Sequence, residues 1–278
     1  SECQREKRVM TDTLTIVKDG NKLYLDIVAA PKKDESGAIL VLQDKSTHYK
    51  LLEMRKDFIA NASHELKTPI TVIRGFAEAL HDNPDLPRET TLLVTEKIVN
   101  NCQRMTTLIK DLLTLSDIEN IPESRLIECD IYELIKICEN RLSDVFPDAQ
   151  ISIIKKTDEG ISIIADPSLM ELALTNILEN AAKYSPSPAQ ITVTFERVEN
   201  MLKIAIADKG IGIPKADLEH IFERFYTVDK AHSQKLGGSG LGLSIVQNII
   251  HKHFGQISVE SEQGKGTTFT IVLPIANS

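Results

Sequence analysis

Phe58-Ile-Ala-Asn-Ala-Ser-His-Glu-Leu-Lys-Thr-Pro69 begins a strongly periodic apolar pattern. Continued to residue 80 at roughly 100° per residue, it gathers Phe58, Ile59, Ala62, Leu66, Ile70, Ile73, Phe76, Ala77 and Leu80 on one broad side of a helix. His64, Thr68, Thr71 and Gly75 fall on the opposite side. A helical histidine is ordinarily a satisfied or incidental residue. Placed opposite the apolar side, His64 is instead presented outward.

The helical pattern starts at about Ser46 and passes through Leu51, Leu52 and Met54. His81-Asp-Asn-Pro-Asp-Leu-Pro87 ends it, because prolines break helical hydrogen bonding. A second helix is expected from about Arg88 to Ile118. In it Ile98, Met105 and Leu112 lie seven apart, interleaved with Cys102 and Ile109, which makes a heptad-like seam. Two helices joined by a short loop form an antiparallel hairpin. Alone it leaves its apolar side wet, so pairing into a four-helix bundle in a dimer is the physical expectation. Packing of the hairpin against the rest of the chain is the alternative.

Upstream, Leu14–Lys18 and Lys22–Ala29 read as strands around the turn Asp19-Gly20-Asn21, and Ala38–Gln43 follows the loop Lys32–Gly37. That is too little for an independent β domain. After Ile121-Pro122 the pattern changes. Helices are expected at Asp130–Arg141, Pro167–Tyr184 and about Leu241–His253. Strands are expected at Gln150–Lys155, Ile161–Ala165, Gln190–Val198, Met201–Asp208, Gln256–Glu260 and Thr267–Pro274. Such a mixture suggests a compact α/β sandwich, antiparallel in large part. The fold class is therefore α+β and multidomain. Residues 1–48 would form an N-terminal segment, 49–121 the hairpin and 122–278 the sandwich.

The net charge of −8 argues against nucleic acid as the main partner. No apolar run reaches the roughly 18–20 residues that span a bilayer, so no membrane contact is expected within the chain. The chain opens at Ser1 without methionine, which leaves an upstream membrane segment open. Cys3, Cys102, Cys129 and Cys138 lack metal-type spacing and read as reduced thiols in a cytoplasmic setting.

Four segments carry candidate chemistry. Asp166-Pro-Ser starts a helix, with Asp166 as cap and Pro167 at the first position. On it Asn176, Asn180 and Lys183 share a stripe beside the buried Leu174, Ile177, Leu178 and Ala181. Amide oxygens suit Mg²⁺ and a lysine suits phosphate, although such a stripe is equally a solvated face. Asp208-Lys-Gly-Ile-Gly-Ile-Pro214 ends a strand. Its glycines permit close ligand approach and its carboxylate can accept from an exocyclic amine, or the segment is an ordinary turn. Gly237-Gly-Ser-Gly-Leu-Gly-Leu243 opens a helix and offers backbone N–H groups to an anion. Gly264-Lys-Gly-Thr-Thr-Phe269 reads by itself as a hairpin turn.

In order and spacing these segments closely resemble the sensor histidine kinases of two-component signalling, over about residues 50–275. Ser63-His-Glu-Leu-Lys-Thr-Pro69 looks like the H-box, Asn176–Tyr184 the N-box and Asp208–Gly212 the first glycine box. Phe222-Glu-Arg-Phe-Tyr226 looks like the F-box and Gly238–Leu243 the second glycine box. Residues 21–48 look like the last strands of a PAS sensor domain. The resemblance implies a dimerisation and phosphotransfer hairpin, followed by an ATP-binding domain of the Bergerat fold. It implies ATP and Mg²⁺ as cofactors, a homodimer, and a response-regulator receiver domain as partner.

The same resemblance implies roles. His64 is similar to the phosphoacceptor, Glu65 to the residue taking the ring proton, and Thr68 to the one positioning water for phosphatase action. Pro69 then marks a local bend. Asn180 is like the Mg²⁺ ligand, with Asn176 supporting it, and Lys183 and Tyr184 like nucleotide contacts. Asp208 looks like the adenine reader, with Gly210 and Gly212 shaping its pocket. Ser239, Gly240, Leu241 and Gly242 would wrap the phosphates. Residues from about Pro214 to Gly238 would form a lid, anchored by Phe222 and Phe225, with Tyr226 unassigned. The regulator would dock near Thr71, Arg74, Gly75 and Glu78.

One position departs from the pattern. Many relatives carry arginine after the F-box aromatic, and here it is Thr227, with Lys230 or Lys235 as substitutes. Two other readings follow. One is a nucleotide-binding scaffold without turnover, supported by Thr227. The other is a gyrase-type ATPase, opposed by the outward His64-Glu65 pair and by an amide at Asn180, which cannot take a proton from water.

Overall fold

The computed structural model describes residues 2–18, 21–32, 37–118, 121–156, 162–229 and 238–276. The chain divides into two compact units, Ser1–Lys67 and Thr68–Ser278. The division falls inside one long helix.

In the first unit a short helix α1 (Glu2–Glu6) precedes strands β1 (Met10–Lys18), β2 (Asn21–Pro31) and β3 (Ala38–Asp44). They form a three-stranded antiparallel sheet in sequence order. Helix α2 (Ser46–Asp82) leaves this sheet directly. Asp44 Oδ1 accepts from the Ser46 N–H at 2.8 Å, Ser46 Oγ accepts from the Tyr24 N–H at 2.9 Å, and the Tyr24 ring stacks on Tyr49 at 4.9 Å. Sheet and helix start are thus hydrogen-bonded to one another. The turn residues Asp19 and Gly20 lie outside the described residues.

In the second unit α2 runs on through Pro69 without a break, although that proline lacks the N–H to reach Glu65. Helix α3 (Arg88–Ile118) follows and completes the expected hairpin. Its seam residues Cys102 and Ile109 are exposed, and Ile98, Met105 and Leu112 half-buried. Leu108, Leu115 and Ile118, on another face, are buried, and α3 packs against the last helix of the chain. One face of the hairpin therefore packs within the chain, as the alternative expectation had it, and the seam residues remain exposed or half-buried.

The remainder is an α/β sandwich. A two-stranded sheet pairs β4 (Ile127–Asp130), which leads into α4 (Ile131–Val145), with β6 (Ser162–Ala165). Between them lies β5 (Gln150–Lys155). Then come α5 (Pro167–Lys183), β7 (Gln190–Val198), β8 (Met201–Asp208), α6 (Gly242–Lys252), β9 (Gln256–Glu262) and β10 (Gly266–Pro274). The larger sheet has the order β5-β7-β8-β10-β9, with only β5 and β7 parallel. Strict alternation turns Ile191, Val193, Phe195, Leu202, Ile204, Ile206, Phe269, Ile271 and Leu273 to one face, where all are buried. Against that face sit Ile135, Leu174, Ile177, Val246 and Ile249 of the three helices, also buried.

The start of α5 agrees with its sequence signature. Asp166 Oδ1 accepts from the Ser168 and Leu169 N–H groups at 3.0 and 3.2 Å. Asp166 Oδ2 meets Arg125 at 2.5 Å. Its own N–H donates to His253 Nε2 at 3.0 Å, while His253 Nδ1 donates to the Ile249 carbonyl at 2.7 Å. This buried histidine ties α6 to α5 with both ring nitrogens used. Among the described residues no helix is long and apolar enough to cross a membrane. All four cysteines are thiols.

Candidate nucleotide and phosphoacceptor sites

His64 lies on α2 in the first unit, exposed, with Glu65 half-buried beside it. Thr68, one helical turn further, is exposed in the second unit. The histidine is thus exposed on this helix, as are Ile59 and Ile70 of its apolar side.

The other candidates converge in the second unit. Asp208 ends β8 half-buried, and its Oδ1 accepts from the Gly210 N–H at 2.7 Å and the Thr267 N–H at 3.1 Å. Burial pushes its carboxyl pKa above the usual 3.8, against the pull of those two donors. Two amides thus orient one oxygen and leave the other for a ligand. Gly210 is required by crowding, since a Cβ there would sit 2.5 Å from the Tyr184 carbonyl oxygen. That carbonyl accepts from the Ile211 N–H at 3.0 Å, which ties the end of α5 to the Asp208 loop. Gly212 has φ +68° and a Cβ there would overlap the Glu262 carbonyl.

Asn176, Asn180, Lys183 and Tyr184 form a half-buried stripe on α5. Asn176 Nδ2 donates to the Leu172 carbonyl at 3.0 Å, so its Oδ1 is the end directed outward. A Cβ on Gly242 would stand 3.0 Å from that oxygen, which places the start of α6 against α5. Burial lowers the Lys183 pKa from 10.5, opposed by Glu179. Gly240 has φ +72°, and its carbonyl accepts from the Phe225 N–H at 2.8 Å. Ser239 Oγ accepts from the Leu241 N–H at 3.2 Å and donates to Asp111 Oδ2 of α3 at 2.7 Å. The three segments thus assemble into one cradle with a carboxylate at one end and a glycine-rich helix entrance at the other.

Around it, Phe222 meets the Phe269 ring edge-on at 6.4 Å and Ile221 is buried, which anchors this stretch in apolar packing. Phe225 is held through its backbone to Gly240 at a φ of +66°. The Tyr226 hydroxyl donates to Asp217, and its ring lies 5.5 Å from His220. Thr227 is half-buried. Lys230 and Lys235 lie outside the described residues, as does Gly237. Thr267 carried no role beyond a turn in the sequence, yet it supplies the second amide to Asp208. Asp111 carried none at all. Only its pairing in space with Ser239 marks it.

Two family models match the chain. The His Kinase A (phospho-acceptor) domain matches residues 54–121, and the histidine kinase-, DNA gyrase B-, and HSP90-like ATPase matches residues 165–277. The chain carries a histidine phospho-acceptor domain followed by a histidine kinase-like ATPase domain. It is 36% identical over 244 residues to the sensor-like histidine kinase SenX3 of Mycolicibacterium smegmatis, covering 87% of this chain and 63% of that protein. It is 38% identical over 272 residues to the sensor histidine kinase WalK of Bacillus subtilis, covering 95% of this chain and 43% of that protein. The chain therefore spans less than two thirds of either relative's length. Among solved structures, histidine kinase AdeS of Acinetobacter baumannii matches with TM-score 0.60 at 25% identity, over 77% of this chain and 98% of that one. Histidine kinase ThkA, solved in complex with the response regulator protein TrrA, matches with TM-score 0.67 at 20% identity, over 98% and 80%, a likeness of fold. The hairpin followed by a mixed-sheet ATPase sandwich is the fold the chain shares with these structures.

Proposed function

We propose that this chain phosphorylates its own His64 with ATP and passes the phosphoryl group to an aspartate of a response-regulator receiver domain. The observation that supports it most is the cradle joining Asp208, the α5 stripe and the Gly238–Gly242 entrance, in one chain with an exposed histidine on a helical hairpin. Asp208 reads the adenine amine. Gly210 and Gly212 let the base approach the backbone, and Lys183 and Tyr184 contact the nucleotide. Ser239, Gly240, Leu241 and Gly242 turn N–H groups and a hydroxyl to the phosphates.

The neutral imidazole of His64 attacks the γ-phosphorus of ATP. A P–N bond forms, the bond to the β,γ-bridging oxygen breaks, ADP departs, and the ring proton passes to Glu65. In the second step a receiver aspartate oxygen attacks phosphorus, the P–N bond breaks and the imidazole recovers its proton. Thr68 positions water for hydrolysis of the resulting acyl phosphate. The donor chemistry fits Mg²⁺. Among the described residues no cluster of three acidic, histidine or cysteine side chains forms a metal cage. The Asn180 amide oxygen, supported by Asn176, would hold the ion together with the phosphates, where it supplies charge neutralisation.

The regulator docks on the α2 face around Thr71, Arg74, Gly75 and Glu78. Arg74 and Glu78 form an exposed pair at 3.7 Å there, and Gly75 opens the surface. The open seam of α3 takes a second copy, giving a four-helix bundle. We assign residues 1–48 to a PAS-like sensor segment and linker, 49–121 to the phosphotransfer hairpin and 122–278 to the catalytic domain. Exposure of every β3 side chain supports a larger sheet-containing domain, and four thiols support the cytoplasm.

Incubation with γ-labelled ATP and Mg²⁺ tests the reading. Acid-labile, base-stable label is expected on the wild type and absent from His64→Gln. Equal labelling of both, or none on either, rejects it. Tight ADP binding without label would establish the nucleotide-binding scaffold instead.

A further inference from the structure

The wall of the cradle at Asp208 contains a hydroxyl relay. Thr267, 7% exposed, donates its N–H to Asp208, and its Oγ1 lies 3.0 Å from Ser261 Oγ on β9. Ser261 Oγ also accepts from the Ile213 N–H at 2.8 Å and lies 2.9 Å from the Gly266 carbonyl oxygen. A serine hydroxyl has one proton and two lone pairs. The carbonyl of Gly266 can only accept, so the Ser261 proton goes there. The amide of Ile213 takes one lone pair. All three contacts are then satisfied only if Thr267 gives its own proton to the remaining lone pair. Thr267 is left with lone pairs alone for anything else it meets.

We propose that Ser261 is a specificity-determining positioning residue: by taking the Thr267 proton, it makes the wall beside Asp208 entirely hydrogen-bond accepting. Such a wall takes a purine that presents an exocyclic amine at C6 and rejects one that presents a carbonyl. This rests on the reading of Asp208 as the base-recognising carboxylate. A carbonyl oxygen placed there would face the Asp208 carboxylate and the Thr267 lone pairs with no proton among them. Acceptors left opposed and unpaired discriminate far more strongly than missing apolar contacts. Removing the Ser261 hydroxyl frees the Thr267 proton to turn toward such a carbonyl. The same serine ties the loop after Asp208 to the β9–β10 hairpin through Ile213, so loss of affinity alone does not report its role.

The test is calorimetric titration of the full chain with Mg²⁺ and either ADP or inosine diphosphate, whose base carries a carbonyl in place of the amine. The wild type is expected to prefer ADP. Ser261→Ala is expected to shrink the ADP-to-inosine-diphosphate affinity ratio by roughly tenfold, and Ser261→Thr to keep it. In a Thr267→Val background the Ser261→Ala change is expected to leave the ratio unmoved. An unchanged ratio in Ser261→Ala, or an equal shift in the Thr267→Val background, overturns the proposal and leaves Ser261 a loop anchor. Ser261→Cys, with a poor acceptor, serves in the same way if Ser261→Ala does not fold. Asp208→Asn separates the two levels: if it binds ADP as the wild type does, the base-recognition reading itself fails.

Discussion

Ser239 Oγ donates a 2.7 Å hydrogen bond to Asp111 Oδ2, so the glycine-rich entrance of α6 is tied to the C-terminal half of α3. Leu108 and Leu115, flanking Asp111 on α3, are buried. Burial pushes the Asp111 carboxyl pKa above the usual 3.8, with the Ser239 bond and Lys110 pulling the other way. A carboxylate therefore occupies the hydroxyl that the proposed function assigns to a phosphate. Asp111→Ala is expected to tighten ATP binding by roughly threefold to tenfold, the worth of one competing charge-assisted hydrogen bond. Displacement of a fluorescent nucleotide measures it, and weaker binding rejects the competition.

Asp208 has a raised pKa because burial outweighs its two amide donors. The folded chain holds this proton more tightly than the unfolded chain. At this one group, stability therefore falls as pH rises from the usual 3.8 through the raised value. Recognition of an amine needs the ionised form, so ADP affinity runs the opposite way. It should decline on acidification while an ordinary aspartate would still be charged. Titrations across the acidic range check this, and Asp208→Asn should bind weakly and lose that pH dependence.

Gly240 takes φ +72°, and a Cβ there would stand 2.8 Å from the Phe225 backbone. Gly240→Ala should destabilise the loop by about 1–3 kcal/mol through strain alone and weaken ATP binding more than tenfold. Thermal unfolding and nucleotide titration measured together separate the two effects. Wild-type binding in this variant would show that the loop does not enclose phosphate.

Thr227 follows the Phe222–Tyr226 segment, at the position where the resemblance to histidine kinases implies an arginine. Phosphoryl transfer depends on neutralising charge, so Thr227→Arg should raise the autophosphorylation rate by roughly tenfold or more. Single-turnover labelling of His64 is the measurement. No change, or a fall, would show that another group already supplies the cation.

Ile109 is 45% exposed on the α3 seam although it adjoins the buried Leu108. Ile109→Asp should dissociate the proposed dimer with little change in the helical content of the monomer, since a charge in an apolar seam is costly only when the seam closes. Sedimentation at micromolar concentration reads the mass. An undisturbed dimer would place the interface elsewhere.

Much of the cradle was legible because its parts are local. Asp166 and Pro167 start α5 by capping chemistry that spans four residues, and the 3.6-residue period alone aligns Asn176, Asn180 and Lys183 beside the buried Ile177. The glycines announced a close approach, and the structure names what approaches: Tyr184 at Gly210 and Phe225 at Gly240. Other features were invisible because their partners are distant in the chain. Asp111 and Ser239 are 128 residues apart, and Leu108, Leu115 and Ile118 lie off the seam that the sequence marks and are buried on α3, which packs against α6.

The sequence by itself determined which residues are candidates for chemistry and which side of each helix they occupy, since periodicity, capping and glycine conformation are set within a few residues. His64 on the outward face of α2 and Asp208 at the end of β8 are of this kind. Only the tertiary structure decided what those groups touch. A hydroxyl has one proton, and whether Thr267 keeps it or gives it to Ser261 depends on Ile213 and Gly266 arriving from other segments. Hydrogen-bond polarity is a property of the assembled set of partners, and no local pattern of residues encodes it.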